Sequence, residues 1–511
     1  MAKDIYSINI FSNYSFAFLY FKIIFMGHKL IYLLIPFISI LSSCHKENTN
    51  DIQGDINPEN NKIQILFEVD KETNLKNPYM GWSLYSEGTY GIERAESYWT
   101  SQDEAGKRYA GVYYLRWPWS YLESEEGKYA WDYDENFKSL IQGALDRGLR
   151  LAFRIFVDSR DCEDEAVPEY VFKEGNYFTE YNKRTPYPND RYFLEKYTKF
   201  IEALGKKFND PSIVDYIDCA GIGKWGEEHT FKLEKDGVSR YEMYQTISNA
   251  YAKAFDKVIN VINFTEREPK EENLLMNELE FSPRRDGYVS KYFPVSQQES
   301  FVSHFPSKIL IAEACYWGGS YNIWEQENGK WKSWKDYYTE LVDLALDTHA
   351  NYLDMRTPTE TSRLLQTNRD DVKRFISKGG YRIYPKRITA NIHDNKISIE
   401  HTWQNVGVGV LPNNNKNLRF KYKVAFALFN DKDELVQQWN SEKVEVSELV
   451  GNKTIKGEET FDLDSHPEGT YKIGVGIINT LPNDSKDIKL AIKRPKIIKN
   501  EWVYIGDVEY K

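Results

Sequence analysis

The chain of 511 residues has few cysteines and lacks the short motifs that hold nucleotides or structural zinc. If one of its 4 cysteines, Cys44, is modified, an odd number remains scattered along the chain, which argues against a disulfide framework. The absence of a CxxC pair argues against a structural zinc site. We expect Cys162, Cys219 and Cys315 to be small buried hydrophobes. No P-loop or strand-linked GxGxxG indicates a nucleotide site. A net charge of −11 argues against a nucleic-acid partner, because phosphate contacts need clustered Lys and Arg.

Long apolar runs are also scarce, and the mean hydropathy is −0.62. The stretch "HKLIYLLIPFISILSSC" has a positive start and a short apolar core, and its final "LSSC", ending at Cys44, resembles the lipobox of bacterial lipoproteins, whose cysteine is lipidated. The residues before it do not fit a leader, so we expect the true start at Met26. A transmembrane anchor is the alternative, but Lys29 and Pro36 interrupt a run that would need about 20 apolar residues.

The chain is predicted to have four segments. Residues 1–44 read as a lipoprotein signal peptide and residues 45–62 as a flexible polar tether. Over residues 63–380, β-forming runs alternate with segments of helical period, and about eight such units predict an α/β fold, a (β/α)8 TIM barrel, with a doubly wound sheet as the alternative. Residues 381–511 alternate polar and apolar positions between turn signals, which predicts an antiparallel β-sandwich.

Local patterns predict where the barrel elements lie. The strand candidates are residues 78–86, 110–117, 149–158, 212–223, 273–278, 286–290, 308–317 and 351–356. The helix candidates are residues 134–148, 191–208, 240–259, 334–349 and 360–378. In the first of these helices, Asp134 is the expected N-cap and Gly148 the expected stop signal.

Two carboxylates stand at predicted strand ends, where the active site of a (β/α)8 barrel lies. Glu227, in "GKWGEEH", ends the fourth predicted strand and Glu313 ends the seventh. Glycoside hydrolysis needs two carboxyls that flank one bond: one donates a proton and the other attacks or activates water. Opposed strand ends can place them ~5–5.5 Å apart, as retaining enzymes require. Trp225 offers an apolar wall that would raise the pKa of the acid.

Several motifs together resemble a known group of proteins. They are "NPYMGW" (77–82), "GKWGEEH" (223–229), "RRD" (284–286), Glu313 and "GGYR" (379–382). The two glutamates resemble the acid/base and the nucleophile of clan A glycoside hydrolases, which include the family-42-type β-galactosidases, and the motif set resembles secreted bacterial barrel-plus-sandwich proteins. The resemblance implies a retaining glycosidase with Glu227 as general acid/base and Glu313 as nucleophile. The aromatic share of 15% agrees mildly with a sugar ligand.

A second group of residues is expected to bind substrate: Arg116, Trp117, Arg154, His229, Arg285, Asp286, Tyr316 and Trp317. The fork of an arginine suits a carboxylate or sulfate on a sugar, and the alternative for Arg116 and Arg154 is an ion pair inside the barrel. Clan A enzymes usually carry Asn before the acid/base glutamate, whereas this chain has Gly226, so His229, Arg285 or Asp286 would hold the 2-hydroxyl instead. Glu228 is the alternative acid, and strand alternation would let only one of the two glutamates point inward.

The sequence thus predicts a lipid-anchored glycoside hydrolase of the cell envelope, at the outer membrane, that acts as a monomer on a poly- or oligosaccharide. No cofactor and no metal are expected, although Asp158 and Asp161 leave calcium as an alternative. Two other classes stay open. One is a non-catalytic glycan-binding lipoprotein, favoured if the glutamates are paired with arginine. The other is a polysaccharide lyase, favoured if Tyr316 lies near Arg154.

Overall fold

The computed structural model describes residues 62–88, 91–315, 330–463, 467–481 and 484–510. After an opening strand β1 (Lys62–Leu66), eight parallel strands close into a barrel, each paired with the next along the chain and the last with the first. The barrel strands are β2 (Gly81–Glu87), β3 (Ala110–Pro118), β4 (Arg150–Phe156), β7 (Val214–Asp218), β8 (Ile259–Asn263), β9 (Ser282–Tyr288), β10 (Leu310–Ala314) and β11 (Ala350–Arg356), and a hairpin of β5 (Tyr177–Glu180) and β6 (Lys183–Pro186) follows β4. The barrel prediction is confirmed.

Helices cover the outside of the barrel, and their bounds follow capping and periodicity. They are α1 (Ala95–Arg108), α2 (Trp119–Leu122), α3 (Ala130–Tyr133), α4 (Glu135–Asp146), α5 (Arg191–Phe208), α6 (Arg240–Ala254), α7 (Pro269–Glu272), α8 (Val295–Val302), α9 (Trp334–Asp347), α10 (Pro358–Thr367) and α11 (Arg369–Lys378). Asp134 caps α4 as predicted, and Gly148 follows its end with φ +68°. In α5, the apolar positions Phe193, Tyr197 and Leu204 recur at helical spacing and are buried.

Three barrel predictions are wrong. Residues 273–278, predicted as the fifth strand, form a π-helical segment (Asn273–Glu278), and the fifth strand is β8. The helix predicted for residues 240–259 is shorter: α6 ends at Ala254, and four residues turn the chain before β8 begins at Ile259. The single helix predicted for residues 360–378 is two helices, because Asn368 leaves the helical region with φ −135° and ψ 34°.

The C-terminal part is a pair of four-stranded antiparallel sheets, in agreement with the predicted sandwich. Its strands are β12 (Ile383–His393), β13 (Lys396–Asn405), β14 (Tyr422–Phe429), β15 (Leu435–Asn440), β16 (Thr454–Asp462), β17 (Gly469–Asn479) and β18 (Val503–Tyr510). One sheet has the order β1-β12-β13-β16 and the other β15-β14-β17-β18. Strand β1 was expected in the barrel segment, but it pairs with β12 and so belongs to the sandwich.

The end of the barrel at which its strands begin shares one hydrophobic core with the sandwich. Tyr79, Val112 and Tyr352 from the barrel belong to the same buried cluster as Tyr422 and Ile473 from the sandwich. The described residues fall within one compact unit of the chain. Among them, no helix has both the length and the apolar character needed to span a membrane. The predicted signal peptide, tether and lipidated Cys44 lie outside the described residues.

Candidate active site

Charged side chains converge at the C-terminal ends of the barrel strands. Strand ends supply Glu87, Arg116, Arg154, Asp218, Arg284, Glu313, Asp354 and Arg356, and the loop after β7 supplies Glu227. All of these except Glu87 are buried. Burying a charge is costly unless it is paired, so a cluster of this kind must consist of ion pairs.

The loop that carries Glu227 is conformationally unusual. Glu227 lies nine residues beyond the end of β7, where the backbone N–H of Lys224 donates to the carbonyl of His229 (2.8 Å). Residues with positive φ are concentrated here: Ala220, Gly221, Gly223, Trp225, Gly226, Glu228 and Thr230. A tryptophan at φ +60° is an outlier, and such strain accumulates at functional sites. Glu227 and Glu228 therefore point in different directions because of this turn, not because of strand alternation.

Gly226 occupies the position where clan A enzymes usually carry Asn, and the structure explains the departure. Its φ is +71°, and an added Cβ would lie 3.1 Å from Cβ of Phe156 and 3.2 Å from Cδ of Arg154. A side chain there would crowd the arginine that holds Glu227. An asparagine at this position would require Phe156 or Arg154 to shift by a few tenths of an ångström.

Two arginines of the barrel strands, Arg116 and Arg154, bind Glu227. Nη1 of Arg116 and Nη1 of Arg154 each donate to its Oε1 at 2.9 Å. Its Oε2 lies 3.6 Å from Nε2 of His229, and Asn263 donates to its backbone carbonyl at 2.8 Å. One carboxylate oxygen is thus fixed by guanidinium groups while the other lies beside His229.

Glu313 is bound by a separate pair of arginines and lies close to Glu227. Arg356 Nη1 donates to its Oε1 at 2.8 Å, and Arg284 contacts its Oε2. Oε1 of Glu313 is 3.9 Å from Nη1 of Arg116, the same atom that lies 2.9 Å from Oε1 of Glu227. The two carboxylate oxygens cannot be further apart than the sum of these distances. The ~5–5.5 Å separation of retaining glycosidases falls within this limit.

The surroundings drive the two carboxyl groups apart in pKa. Burial, together with the charges of Glu313 and Asp286, raises the pKa of Glu227 against the pull of Arg116 and Arg154. Burial would also raise the pKa of Glu313, but Arg284 and Arg356 outweigh it and lower that pKa to about 2. Paired carboxyls with diverging pKa values are the arrangement that separates a proton donor from an ionised partner.

Glu228, the alternative acid, faces away from this centre. Arg267 donates to both of its carboxylate oxygens, at 2.6 and 2.9 Å, and the hydroxyl of Tyr244 donates at 2.7 Å. Three donor atoms thus hold this buried carboxylate. Glu228 is therefore an anchor for the loop rather than a second acid.

The predicted binding residues divide into four groups. Arg116 and Arg154 form ion pairs inside the barrel, which was the alternative to binding an anionic sugar. His229 bonds Asp286 (3.0 Å), and Arg285 bonds Asp286 (2.6 Å), so these three line the mouth together. Burial lowers the pKa of His229, but the bond to Asp286 outweighs it and raises that pKa. Trp117 is wrongly predicted, because it is fully buried with its indole N–H donating to Ser86 (2.8 Å). Tyr316 and Trp317 lie outside the described residues.

Some residues of the centre were not predicted. Arg284 was predicted only as part of the motif "RRD" and Arg356 only as the last residue of a strand. No role was predicted for Asp354 or Tyr85. Asp354 accepts the N–H of Ala314 (2.7 Å), and burial raises its pKa to about 7. The available signal was a charged residue that ends an otherwise apolar strand.

A metal ion has one candidate position among the described residues. Ligand atoms of Glu227, His229 and Asp286 all lie within 4.8 Å of one another. The fit is poor, because Arg285 and two further guanidinium groups already neutralise these carboxylates. At the alternative calcium position, the ammonium of Lys224 bonds both oxygens of Asp158 at 2.9 Å and so already supplies the positive charge.

No protein-family model and no curated protein sequence matches the chain. Among solved structures, it is similar to endo-glycoceramidase II from Rhodococcus sp. (10% identity, TM-score 0.40, 78% of this chain and 100% of that chain). It is also similar to an endogalactoceramidase (12%, 0.38, 66% and 88%). A third is a glycoside hydrolase family 5 enzyme from Prevotella bryantii (11%, 0.36, 61% and 98%). All three are glycoside hydrolases, and at these identities the similarity concerns the fold alone.

Proposed function

We propose that the protein is a retaining glycoside hydrolase in which Glu227 is the general acid/base and Glu313 the nucleophile. The observation that carries the proposal is that the pKa values of two neighbouring carboxyl groups are shifted in opposite directions. Arginines lower the pKa of Glu313, which favours its ionised form, while burial raises the pKa of Glu227, which favours its protonated form. Both reach the same guanidinium nitrogen of Arg116, so one glycosidic bond can lie between them.

The reaction would run in two steps. Glu227 protonates the glycosidic oxygen as the anomeric carbon separates from it, and Glu313 forms an ester with that carbon. Glu227, now ionised, then takes a proton from water, which attacks the same carbon and releases Glu313. Arg284 and Arg356 would hold the leaving carboxylate in place. The bond from His229 to Asp286 leaves Oε2 of Glu227 beside an oriented imidazole.

The arginines of the centre also bear on the class of substrate. Apart from Glu227, Arg116 pairs with Glu87 and Arg154 with Asp218. Arg284 pairs with Glu313, and Arg356 pairs with Glu360 as well as with Glu313. Since each guanidinium is matched by a carboxylate, the centre offers little uncompensated positive charge to a uronate or sulfate. A neutral sugar at the cleavage site is the better match.

The test compares soluble protein that begins after Cys44 with Glu227→Gln and Glu313→Gln. We expect new reducing ends from a neutral polysaccharide with the wild type and at least a 1,000-fold loss in each variant, since each removes an essential group. Arg387→Gln, on the exposed face of β12, is the control. Full activity in either glutamate variant contradicts the assignment of that residue.

A non-catalytic glycan-binding protein is the second candidate, and one observation favours it. Both central carboxylates are ion-paired with buried arginines, which is also how purely structural carboxylates are satisfied. Saturable binding of a polysaccharide without any cleavage, equal in wild type and both glutamine variants, would support this candidate instead.

The cellular location rests on the sequence alone. The "LSSC" signal supports a lipid anchor at Cys44 and a place in the cell envelope, proposed as the outer membrane. Radiolabelled palmitate incorporation that is lost in Cys44→Ala, followed by membrane fractionation, tests the anchor and its membrane.

A further inference from the structure

The hairpin of β5 and β6 is inserted between β4 and α5, so it stands on the same end of the barrel as the candidate active site. Its two strands are joined by Tyr181 and Asn182, with φ +53° and +59°. Two consecutive residues with positive φ form the tight turn that suits a two-residue hairpin. Tyrosine is an uncommon choice there, because a bulky side chain is strained at positive φ. A tyrosine kept at this strained position therefore suggests a functional role.

The hairpin is fixed to the loop that carries Glu227. Glu180 accepts from the ammonium groups of Lys224 (2.8 Å) and Lys232 (3.0 Å). Lys224 is buried and also bonds both oxygens of Asp158 at 2.9 Å. Lys224 lies three residues before Glu227 in the same turn. The hairpin tip therefore contacts the turn that carries the proposed acid.

Two aromatic rings line this border. Tyr181 is 59% exposed, and the ammonium of Lys224 lies 5.5 Å from its ring centroid. Trp225 is half-buried, and its indole N–H donates to Asp161 at 2.7 Å. Its ring centroid is 6.2 Å from that of His229, which in turn lies 3.6 Å from Glu227. Trp225 thus lies beside His229, which neighbours the acid, and Tyr181 contacts Lys224, which precedes Trp225 in the chain.

A general acid gives its proton to the leaving-group oxygen, so the surface beside the acid is the surface that meets the leaving group. An exposed aromatic ring held in place by its neighbours binds the C–H face of a sugar ring. Because Asp158 and Glu180 neutralise Lys224, this surface also carries little net charge. We propose that the hairpin tip, through Tyr181 and together with Trp225 of the turn it contacts, binds the sugar ring on the leaving-group side of the bond to be cut. The inference rests on the proposed function and makes the protein an enzyme that cuts between sugars of a chain.

The experiment separates the leaving-group side from the chemistry. Tyr181→Asn removes the ring and keeps the turn, since Asn tolerates positive φ, and Tyr181→Phe keeps the ring. The probes are gluco-, xylo-, manno- and galacto-tetraose in β-linkage and the corresponding glycosyl fluorides, whose leaving group is a single atom. For the sugar that the wild type cleaves, we expect Tyr181→Asn to lower kcat/KM on the tetraose about 2- to 10-fold. Activity on the fluoride should be unchanged, and Tyr181→Phe should resemble the wild type.

A control and the other outcomes complete the test. Phe420→Ala removes an exposed aromatic ring near Asn417, which bonds the carbonyls of Phe255 and Val258 at the opposite end of the barrel, and it should change neither substrate. If Tyr181→Asn lowers kcat/KM equally on the tetraose and the fluoride, or on neither, the inference is overturned but the proposed hydrolase function is not. If the wild type cleaves a glycosyl fluoride but none of the tetraoses, the inference is overturned as well. No cleavage of any probe contradicts the proposed function, and the inference with it.

Discussion

At the scale of single residues, burial and four buried arginines shift the pKa values of two neighbouring carboxyl groups in opposite directions. Burial raises the pKa of Glu227, while Arg284 and Arg356 overcome burial and lower the pKa of Glu313 to about 2. The nucleophile should therefore stay ionised far into acid, and the acid should stay protonated above the pKa of free glutamate. We expect kcat/KM to hold down to about pH 3 and to fall on the alkaline side as Glu227 loses its proton.

The arginine partners give this pH profile a direct test. Arg356→Gln removes a guanidinium that lies 2.8 Å from Glu313, so the pKa of Glu313 should rise. The acidic limb of kcat/KM should then move up by about 1–2 pH units while the alkaline limb stays in place. Arg387→Gln, on the exposed face of β12, should leave both limbs unchanged. A shift of the alkaline limb alone would mean that the two glutamates have the opposite roles.

Gly226 provides a second test at this scale. Alanine there must adopt φ +71° and place its Cβ 3.1 Å from Phe156 and 3.2 Å from Arg154. We expect Gly226→Ala to lower the free energy of unfolding by about 2–3 kcal/mol and to reduce kcat at least tenfold, because the turn that aims Glu227 must shift. Urea denaturation and initial rates measure the two effects.

The chain offers a matched control for that substitution. Gly451 has φ +59° with nothing within 4 Å of an added Cβ, so Gly451→Ala meets the same backbone strain without crowding. It should cost about 1 kcal/mol and leave the rate unchanged. Equal effects of the two substitutions on stability and rate would show that the crowding around Gly226 has no role.

The residues of the site were predictable to different degrees. Glu227 and Glu313 could be inferred because carboxylates at the ends of apolar strands need a special reason. Whether Trp117 faces a sugar or the core could not be inferred, since β3 is buried on both faces and alternation carries no signal there. The orientation of Glu228 depends on a turn with several positive φ values, which no periodicity predicts.

At the scale of elements, the hairpin of β5 and β6 depends on one buried lysine. Lys224→Met would leave Asp158 buried without its ammonium partner. We expect a loss of about 3 kcal/mol in the free energy of unfolding at pH 7. Burial already raises the pKa of Asp158, so the unpaired carboxyl should take up a proton as pH falls, and the loss should shrink towards pH 4.

Two further variants isolate the cause. Lys224→Met combined with Asp158→Asn removes the unpaired charge and should recover part of the loss at pH 7. Lys199→Met breaks an exposed pair with Glu195 within α5 and should cost less than about 0.5 kcal/mol. A loss from Lys224→Met that is the same at pH 4 and pH 7 would exclude Asp158 as its origin.

The elements that the sequence misplaced share a physical cause. Strand β8 has only five residues and follows α6 after a short turn, so its apolar residues continue the pattern of the helix. The segment Asn273–Glu278 has a short apolar run, which periodicity cannot assign to strand or helix. By contrast, α5 was predicted with its observed bounds, because Asp190 caps it and its apolar stripe is long.

At the scale of the whole molecule, the sandwich closes the end of the barrel opposite to the site. The sequence predicts a barrel followed by a sandwich. Strand β1 departs from this order, because it precedes the barrel in the chain but pairs with β12 of the sandwich. Arg382, in the "GGYR" motif, donates to the carbonyls of Asp70 (2.7 Å) and Thr73 (3.0 Å) on the segment that leads from β1 into the barrel. Long-range pairing of this kind leaves no periodicity in the sequence.

Because the two parts share one buried core, they should unfold together, and Asn351 tests this. Its side-chain amide donates to the carbonyls of Tyr79 and Val410 at 2.8 Å, and its oxygen accepts from the N–H of Val410 at 3.2 Å, all of them buried. Asn351→Ala leaves these groups unsatisfied, so we expect a loss of about 2–4 kcal/mol in the free energy of unfolding. Calorimetry should show one transition in the wild type, and in the variant that whole transition should move to lower temperature. Asn249→Ala, on the exposed face of α6, should not move it. If instead the wild type shows two transitions and only one of them moves, the barrel and the sandwich unfold independently, and the shared core does not make them one cooperative unit.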